Sequence, residues 1–533
     1  MSERLPNAVD LSHHLSDVAK TLEPRSMGQA PKPGSIGMDG GVPDTEYFPI
    51  ESINVTYLKP AAFPLHPTDA LPHGPGVLGW IANILTGNTS KTTEAPTGQF
   101  IIPRRLRADD ESKFELKSAL QYSPTTGLPA AERIIYEWDA RVHKPAYNDW
   151  KTLIDIGASS AWSSCLTILL NPGDSFITDK YAYNAALMQA HTRGLHSVAV
   201  KTDNDGLSAV DLERVLSGWD EKSRGFKRPR VIYTQGGIQN PTGLLITAQR
   251  KKDIYDVAVR YDMIIVEDDP YYFQQAAPYS RSAVRETKKQ TDEEWLDSLV
   301  PSFLQFDYEG RVLRLSTFSK SVGPGGRLGY YTGSPLLLRK LEAFHQSFIS
   351  FPSGLSQAII GELLHRFGQE GFTRWLRGIT AQYELRRNWA IDALYKSLDV
   401  RVKDNWSPTL TAYAVGDGQM SEKFTQSKSL MSFVPPDGGM FVWFNIHMHN
   451  HPRYKHLAHQ TSPSAAKTQL SDELSTAITE AGVLFRRGEL FVSEEDEKEE
   501  DVFLRASFSS GPKEDIEKGM KIFATTLVKF FQI

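Results

Sequence analysis

Short apolar runs alternate with segments of helical period from about residue 150 onward. Each run has the length of a strand, and polar or glycine-containing residues follow it. Strands separated by helices predict a mostly parallel sheet that helices cover on both faces. The predicted strands are Thr152–Ile156, Ser175–Thr178, Ser197–Val200, Val231–Thr234, Met263–Val266 and Val312–Leu315.

A chain of 533 residues is too long for a single hydrophobic core, so we predict more than one domain. We predict an N-terminal arm over 1–48, which contributes to small-domain and dimer contacts. A large α/β domain is predicted over 49–395, with insertions near 86–112 and 274–300. A small C-terminal α+β domain is predicted over 396–533.

The composition excludes several classes of protein. Hydrophobic residues make up 40% and charged residues 23%, as in ordinary globular proteins. The net charge of -5 argues against binding of nucleic acid through its phosphates. The sequence has one cysteine, Cys165, and lacks both a signal-peptide pattern and a run of roughly 20 apolar residues. We therefore predict a soluble, cytoplasmic protein with no membrane or nucleic-acid partner.

Four polar motifs follow predicted strands, at the edge where open α/β sheets bind ligands. They offer free N–H groups at a helix start, an amide, a carboxylate with a tyrosine, and a lysine with an arginine. Pyridoxal 5′-phosphate needs an amine with which it can form an imine, and cationic or N–H groups that bind its phosphate. The lysine can supply the amine, and the arginine and the free N–H groups can bind the phosphate. The motifs are Gly157–Ser160, Asn240–Gly243, Asp268–Tyr271 and Ser319–Arg327.

These motifs, in this order, resemble the class I and II aminotransferases of fold type I, from about Gly37 to the C-terminus. That resemblance implies a mixed, mostly parallel sheet flanked by helices. Other stretches are similar to the aminoadipate/kynurenine branch: Asp268–Phe273, Tyr122–Pro129 and Leu504–Ser509. Two more resemble the fungal aromatic aminotransferases: Leu299–Leu304 and Asp307–Arg314.

The resemblance implies roles for the residues nearest the cofactor ring. Lys320 is expected to form the imine and to carry the proton transfers, with its pKa lowered by burial and by Arg327. Asp268 is expected to pair with the ring nitrogen, and Asp269 is the adjacent alternative. Hydrogen bonds to the ring hydroxyl are expected from Tyr271 and Asn240, and ring stacking is expected from Tyr183.

Phosphate and substrate contacts follow from the same resemblance. The substrate α-carboxylate is expected to meet Arg505 and Asn240, with Gly41 offering its backbone. Tyr122 is expected to reach the phosphate of a neighbouring subunit, which implies a homodimer. No metal is expected. The remaining phosphate contacts are expected from Ala158, Ser159, Thr317, Ser319 and Arg327.

The predicted reaction moves the amino group of tyrosine, phenylalanine or tryptophan to a 2-oxo acid such as 2-oxoglutarate, in two half-reactions. The alternatives are transfer from 2-aminoadipate or kynurenine, and a lyase or decarboxylase reaction with the same cofactor. A cofactor-binding regulator is disfavoured by the acidic balance. Arg486 and Arg487 depart from the aminoadipate/kynurenine branch, and two cations there favour acidic substrate side chains.

Overall fold

The computed structural model describes residues 5–24, 41–65, 96–281, 290–402, 408–415, 428–494 and 501–532. None of the helices within these ranges is both long and apolar enough to span a membrane. The strands are β1 Ser52–Leu58, β2 Thr97–Pro103, β3 Lys151–Asp155, β4 Ser175–Asp179, β5 His196–Val200, β6 Thr202–Asp203, β7 Gly206–Leu207, β8 Val231–Thr234, β9 Ile264–Asp268, β10 Val312–Thr317, β11 Gly329–Gly333, β12 Asp399–Val402, β13 Leu410–Tyr413, β14 Met431–Phe433, β15 Phe441–Ile446, β16 Arg486–Arg487 and β17 Val502–Ser507.

Helices separate most of the strands of the first half. They are α1 Asp17–Thr21, α2 Leu116–Ala119, α3 Pro129–Val142, α4 Ala158–Leu169, α5 Asn184–His191, α6 Ala209–Ser217, α7 Glu221–Arg224, α8 Ala248–Arg260, α9 Asp292–Asp297, α10 Pro335–Phe348, α11 Gly354–Ser397, α12 Tyr454–Gln460, α13 Pro463–Glu480 and α14 Lys513–Phe531. The long α11 departs from helical geometry at Gly368, where φ is 62° and ψ is 176°.

The larger sheet has the strand order β3-β11-β10-β9-β8-β4-β5. Strand β11 runs antiparallel to both of its neighbours, β3 and β10, and the other pairings are parallel. Strands β3, β8, β9 and β10 therefore all end at the same edge. The predicted fold class, a mixed and mostly parallel sheet flanked by helices, is confirmed.

A second sheet lies in the C-terminal part of the chain. Its order is β12-β13-β14-β15-β17-β16, and each of its pairings is antiparallel. Helices α13 and α14 and the last turns of α11 bury apolar side chains against it, so that they share one core with β15 and β17. The domain limits themselves stay predictions.

Residues 5–24 are the described part of the N-terminal arm, and they lie against the layer that contains α4. Leu11, Leu15 and Ala19 are buried in the same apolar cluster as that helix. Ser16 Oγ donates a hydrogen bond to Thr167 O at 2.7 Å. The predicted contacts of the arm with the small domain and with a second subunit stay predictions.

Both predicted insertions contain regular structure. Strand β2 belongs to the stretch near 86–112 and pairs antiparallel with β1. Helix α9 belongs to the stretch near 274–300 and begins with a capping box at Thr291 and Glu294. Residues 66–95 and 282–289 lie outside the described ranges.

Candidate active site

The Asp268 carboxyl group lies at the carboxyl end of β9 and is fully buried. Its Oδ2 accepts a hydrogen bond of 2.7 Å from the Tyr233 hydroxyl. Its Oδ1 has no hydrogen-bond partner among the described residues. Burial raises the pKa of Asp268 to about 6, and the bond from Tyr233 opposes this rise. A buried carboxylate oxygen without a partner calls for a donor from a ligand.

Asp269, the adjacent alternative, is turned the other way. Its Oδ2 lies 3.2 Å from Arg314 Nη1, which also contacts Glu267 Oε2 at 3.0 Å. Successive side chains of an extended strand alternate between its faces, so Asp268 and Asp269 point to opposite sides. Asp269 is paired with a cation through Oδ2, whereas its Oδ1, like that of Asp268, has no partner among the described residues.

Lys320 ends a short turn that follows β10. Its Nζ lies 5.7 Å from the centroid of the Tyr271 ring. Burial lowers the pKa of Lys320. We expected Arg327 to contribute to this lowering of the Lys320 pKa, but burial alone accounts for the shift. A lowered pKa increases the share of neutral, nucleophilic amine at neutral pH.

An anion-binding corner forms where α4 begins. Gly157 has a φ of 126°, and a Cβ added there would lie 2.9 Å from Arg327 Nη2. Arg327 itself has a left-handed backbone, with a φ of 43°. The first N–H groups of α4, those of Ala158 and Ser159, have no acceptor within the helix. Guanidinium and helix N-terminus thus face the same space.

Two hydroxyl groups stand beside this corner. Thr317 is the register partner of Gly329 across β10 and β11. A Cβ added at Gly329 would lie 2.9 Å from the Cα of Gly157, so the two strands bring Thr317 close to α4. Thr317 Oγ1 donates to Ser319 Oγ at 2.9 Å. The predicted phosphate-binding residues are therefore assembled in one place.

Arg505 enters the site from the second sheet. Its Nη1 donates to Asn240 Oδ1 at 2.7 Å. The guanidinium carbon lies 4.0 Å from the centroid of Phe441 and 4.8 Å from that of Phe491. The Nε atom of Arg505 is buried and unpaired among the described residues, and burial lowers the pKa of the group. The two rings hold the fork in position while leaving donors for a carboxylate.

The remaining predicted residues differ in position. Tyr183 is half-buried at the start of α5, close enough to influence the pKa values of Tyr271 and Arg505. Tyr122 is 63% exposed and lies edge-on to Phe351, with centroids 5.5 Å apart. Gly41 is exposed, and an added Cβ would touch nothing described. Within the described part of the chain, Tyr122 and Gly41 are thus not enclosed by the site.

The sequence interpretation missed two features of this site. Tyr233 lies within the predicted strand Val231–Thr234 and was assigned no role at the site. Its hydroxyl group was the one signal in the sequence that could have indicated a polar contact. Phe441 and Phe491 were not connected with Arg505. Arg487, by contrast, was singled out, and it forms ion pairs with Asp472 and Glu489.

Comparisons with known proteins identify the family of the chain. The family "Aminotransferase class I and II" matches residues 94–523. The chain belongs to this family. Its members depend on pyridoxal phosphate, and the chain is a transaminase.

Individual relatives match nearly the whole chain. The L-tyrosine:2-oxoglutarate aminotransferase atrD of Tapinella panuoides is 32% identical, over 99% of this chain and 97% of the relative. An aromatic amino acid aminotransferase of Schizosaccharomyces pombe is 28% identical over 98% of each chain. The crystal structure of aminotransferase Aro8 from Candida albicans superposes with a TM-score of 0.81, at 28% identity, over 99% of this chain and 100% of that one.

Proposed function

We propose that this transaminase binds pyridoxal 5′-phosphate and transfers the amino group of aromatic L-amino acids to a 2-oxo acid such as 2-oxoglutarate. The observation that carries the cofactor is the unpaired, buried Oδ1 of Asp268. Three residues further on, the ring of Tyr271 lies 5.7 Å from Nζ of Lys320, whose pKa burial lowers. The names of the relatives support the substrate class. The residues fit the cofactor chemically, because each of its ring N–H, ring hydroxyl and phosphate would find a complementary group.

Each part of the cofactor has proposed partners in this chain. Asp268 Oδ1 would accept a hydrogen bond from the ring nitrogen, Tyr271 and Asn240 would bind the ring hydroxyl, and Tyr183 would stack on the ring. When bound, pyridoxal phosphate supplies a ring that withdraws electrons from the Cα of the amino acid. The phosphate would be held by Ala158, Ser159, Thr317, Ser319 and Arg327.

Lys320 is the proposed proton carrier. Its lowered pKa lets the amine accept the Cα proton and donate it again within one turnover. Tyr271 lies beside the amine and restricts its position. Lys320 therefore performs both proton transfers of each half-reaction.

Arg505 is the proposed clamp for the substrate α-carboxylate, so Arg505→Ala should lower kcat/KM at least about a hundredfold. Arg505→Lys should recover only part of the loss, because an ammonium group lacks the planar fork. Steady-state rates with tyrosine measure both variants. Arg401→Ala, which changes an ion-paired arginine of the same sheet, is the control and should behave as wild type. Equal kcat/KM in Arg505→Ala and wild type would show that the carboxylate binds elsewhere.

A cavity of about 460 Å³ beside Lys320 is the proposed place for the substrate side chain. Three aromatic residues line it: Phe63, Trp375 and Tyr383. Phe63 and Trp375 lie against each other, with ring centroids 5.2 Å apart. Their apolar surface suits the ring of an aromatic amino acid.

Among the described residues that line this cavity, the guanidinium is that of half-buried Arg386, which also donates to Gly511 O at 2.6 Å. We propose that Arg386 binds the second carboxylate of 2-oxoglutarate when the aromatic ring has left. Arg386→Ala should raise the KM for 2-oxoglutarate roughly tenfold, the effect of losing one charged hydrogen bond. The KM for phenylpyruvate, which has no second carboxylate, should not change. A parallel rise for both oxo acids would show that Arg386 does not bind the second carboxylate, and an unchanged KM for both would place Arg386 outside the acceptor site.

Two further parts of the proposal concern assembly and location. We propose a homodimer in which Tyr122 of one subunit reaches the phosphate site of the other, since Tyr122 is exposed in the single chain. Size measurement in solution tests the dimer. The cytoplasmic location stays a prediction.

The decisive experiment for the reaction incubates the holoenzyme with tyrosine and 2-oxoglutarate. We expect the new oxo acid and glutamate in equal amounts. Carbon dioxide or ammonia in place of glutamate would indicate the lyase or decarboxylase alternative. Faster turnover of 2-aminoadipate or kynurenine than of tyrosine would favour the other alternative, for which a mouse kynurenine/alpha-aminoadipate aminotransferase is 29% identical over 62% of this chain.

A further inference from the structure

The two oxygen atoms of the Asp268 carboxyl group have different surroundings. Oδ2 accepts from the Tyr233 hydroxyl at 2.7 Å, and Oδ1 has no partner within the described ranges. Tyr233 pairs in register with Val266 of β9, and Val266 and Asp268 point to the same face of that strand. The hydroxyl therefore reaches the carboxylate diagonally from the neighbouring strand.

The ring of Tyr233 is itself held in place. It is buried against Trp162 of α4, with centroids 4.3 Å apart. Trp162 is fixed in turn, because its Nε1 donates to Ala186 O at 3.1 Å. A rigid chain of contacts thus runs from α5 through α4 to one oxygen of Asp268.

Tyr233 is the one side chain among the described residues that donates a hydrogen bond to Asp268. The other charged or titratable groups nearby do not donate to it. Asp269 and Arg314 lie on the opposite side of the strand, where they pair with each other. The Cys165 thiol approaches from α4, and burial raises its pKa well above the ordinary value. Burial likewise raises the pKa of Tyr233, so its hydroxyl keeps its proton and remains a donor.

We infer that Tyr233 is a positioning residue: it holds Asp268 ionised and aims the free Oδ1 at the nitrogen of the cofactor ring. This inference rests on the proposed function, since it requires the ring to lie against Asp268. Without the hydroxyl, Oδ2 would lose its donor and the carboxyl group would be free to rotate and to take up a proton. Tyr233 acts through Asp268 and need not touch the cofactor.

The test compares two ligands in the cofactor-free protein. One is pyridoxal 5′-phosphate, and the other is its carbon analogue, in which a C–H group replaces the ring nitrogen. Affinities are measured by quenching of tryptophan fluorescence. Wild type should prefer the natural ligand at least about tenfold, and Tyr233→Phe should reduce this preference roughly tenfold, the range for a hydrogen bond to a charged group. Affinity for the carbon analogue should not change.

The matched control is Tyr255→Phe. Tyr255 is also buried and donates to a buried carboxylate, Asp307 Oδ1, at 2.9 Å, but it lies away from the site. It should lower stability without altering either affinity. A preference in Tyr233→Phe equal to that of wild type would overturn the inference, as would equal losses for both ligands.

Two other results have distinct meanings. If wild type itself binds both ligands equally, the pairing of Asp268 with the ring nitrogen fails, and the inference fails with it. If wild type binds neither ligand, the proposed function fails. Should Tyr233→Phe not fold, Trp162→Phe keeps the hydroxyl but weakens the ring contact that orients it. Its preference should fall by about two- to tenfold, the value of an aromatic pair, and an unchanged preference would again overturn the inference.

Discussion

Lys320→Ala should lower kcat with tyrosine by at least about 10⁴-fold, the upper end of what one general acid–base group contributes. The variant lacks both the amine that joins the cofactor and the base that moves the Cα proton. The visible absorbance of the bound cofactor should also shift to that of free pyridoxal phosphate. Stopped-flow absorbance with tyrosine alone measures the first half-reaction directly.

The control is Lys340→Ala. Lys340 is also largely buried, and its Nζ donates to Leu22 O at 2.6 Å and pairs with Glu23. This variant should retain its rate and its absorbance. Added methylamine should restore part of the rate in Lys320→Ala only, because a free amine can replace the missing base. Normal turnover in Lys320→Ala would show that the site is wrongly assigned.

The sequence predicted the parallel strands because each is locally apolar and ends in polar or glycine-containing residues. It did not predict β11, Gly329–Gly333, or its antiparallel insertion between β3 and β10. Local hydrophobicity determines whether a segment is buried, but its neighbours in the sheet depend on contacts between distant segments.

The stretch near 86–112 illustrates a second limit. Its strand β2 is exposed on one face, and it begins with the polar residues Thr97, Gly98 and Gln99. Its partner β1 lies about forty residues earlier in the chain. Such a strand becomes stable only when paired, so composition alone indicated a surface insertion.

The site could be predicted to the level of motifs. Asn240, Asp268, Lys320 and Arg327 were found because strand ends of a parallel sheet converge. Tyr233 was missed because its role depends on the register between β8 and β9, which sequence does not give. We interpreted Arg487 as a cation that favours acidic substrates, but the sequence does not show that Arg487 forms ion pairs with Asp472 and Glu489.

Asp268→Asn should lower kcat/KM with tyrosine by about a thousandfold, the upper end for removing one preorganised electrostatic partner. An amide has no charge to hold the ring nitrogen protonated, so the ring withdraws electrons less effectively. KM should change little, since the α-carboxylate still binds Arg505. Asp307→Asn, at a buried carboxyl group outside the site, is the control and should retain its kcat. A loss confined to KM would contradict the role of Asp268 at the ring.

The same variant makes a prediction for the protein without cofactor. Burial raises the pKa of Asp268 from 3.8 to about 6, so the folded state binds this proton more tightly than the unfolded chain. Stability from this group is therefore complete below pH 4 and is lost as pH rises through 6. The neutral amide of Asp268→Asn avoids this loss. Cofactor-free Asp268→Asn should thus have a higher Tm than wild type at pH 8, with the difference shrinking toward pH 4. A constant difference across this range would show that Asp268 does not titrate with a raised pKa in the folded protein.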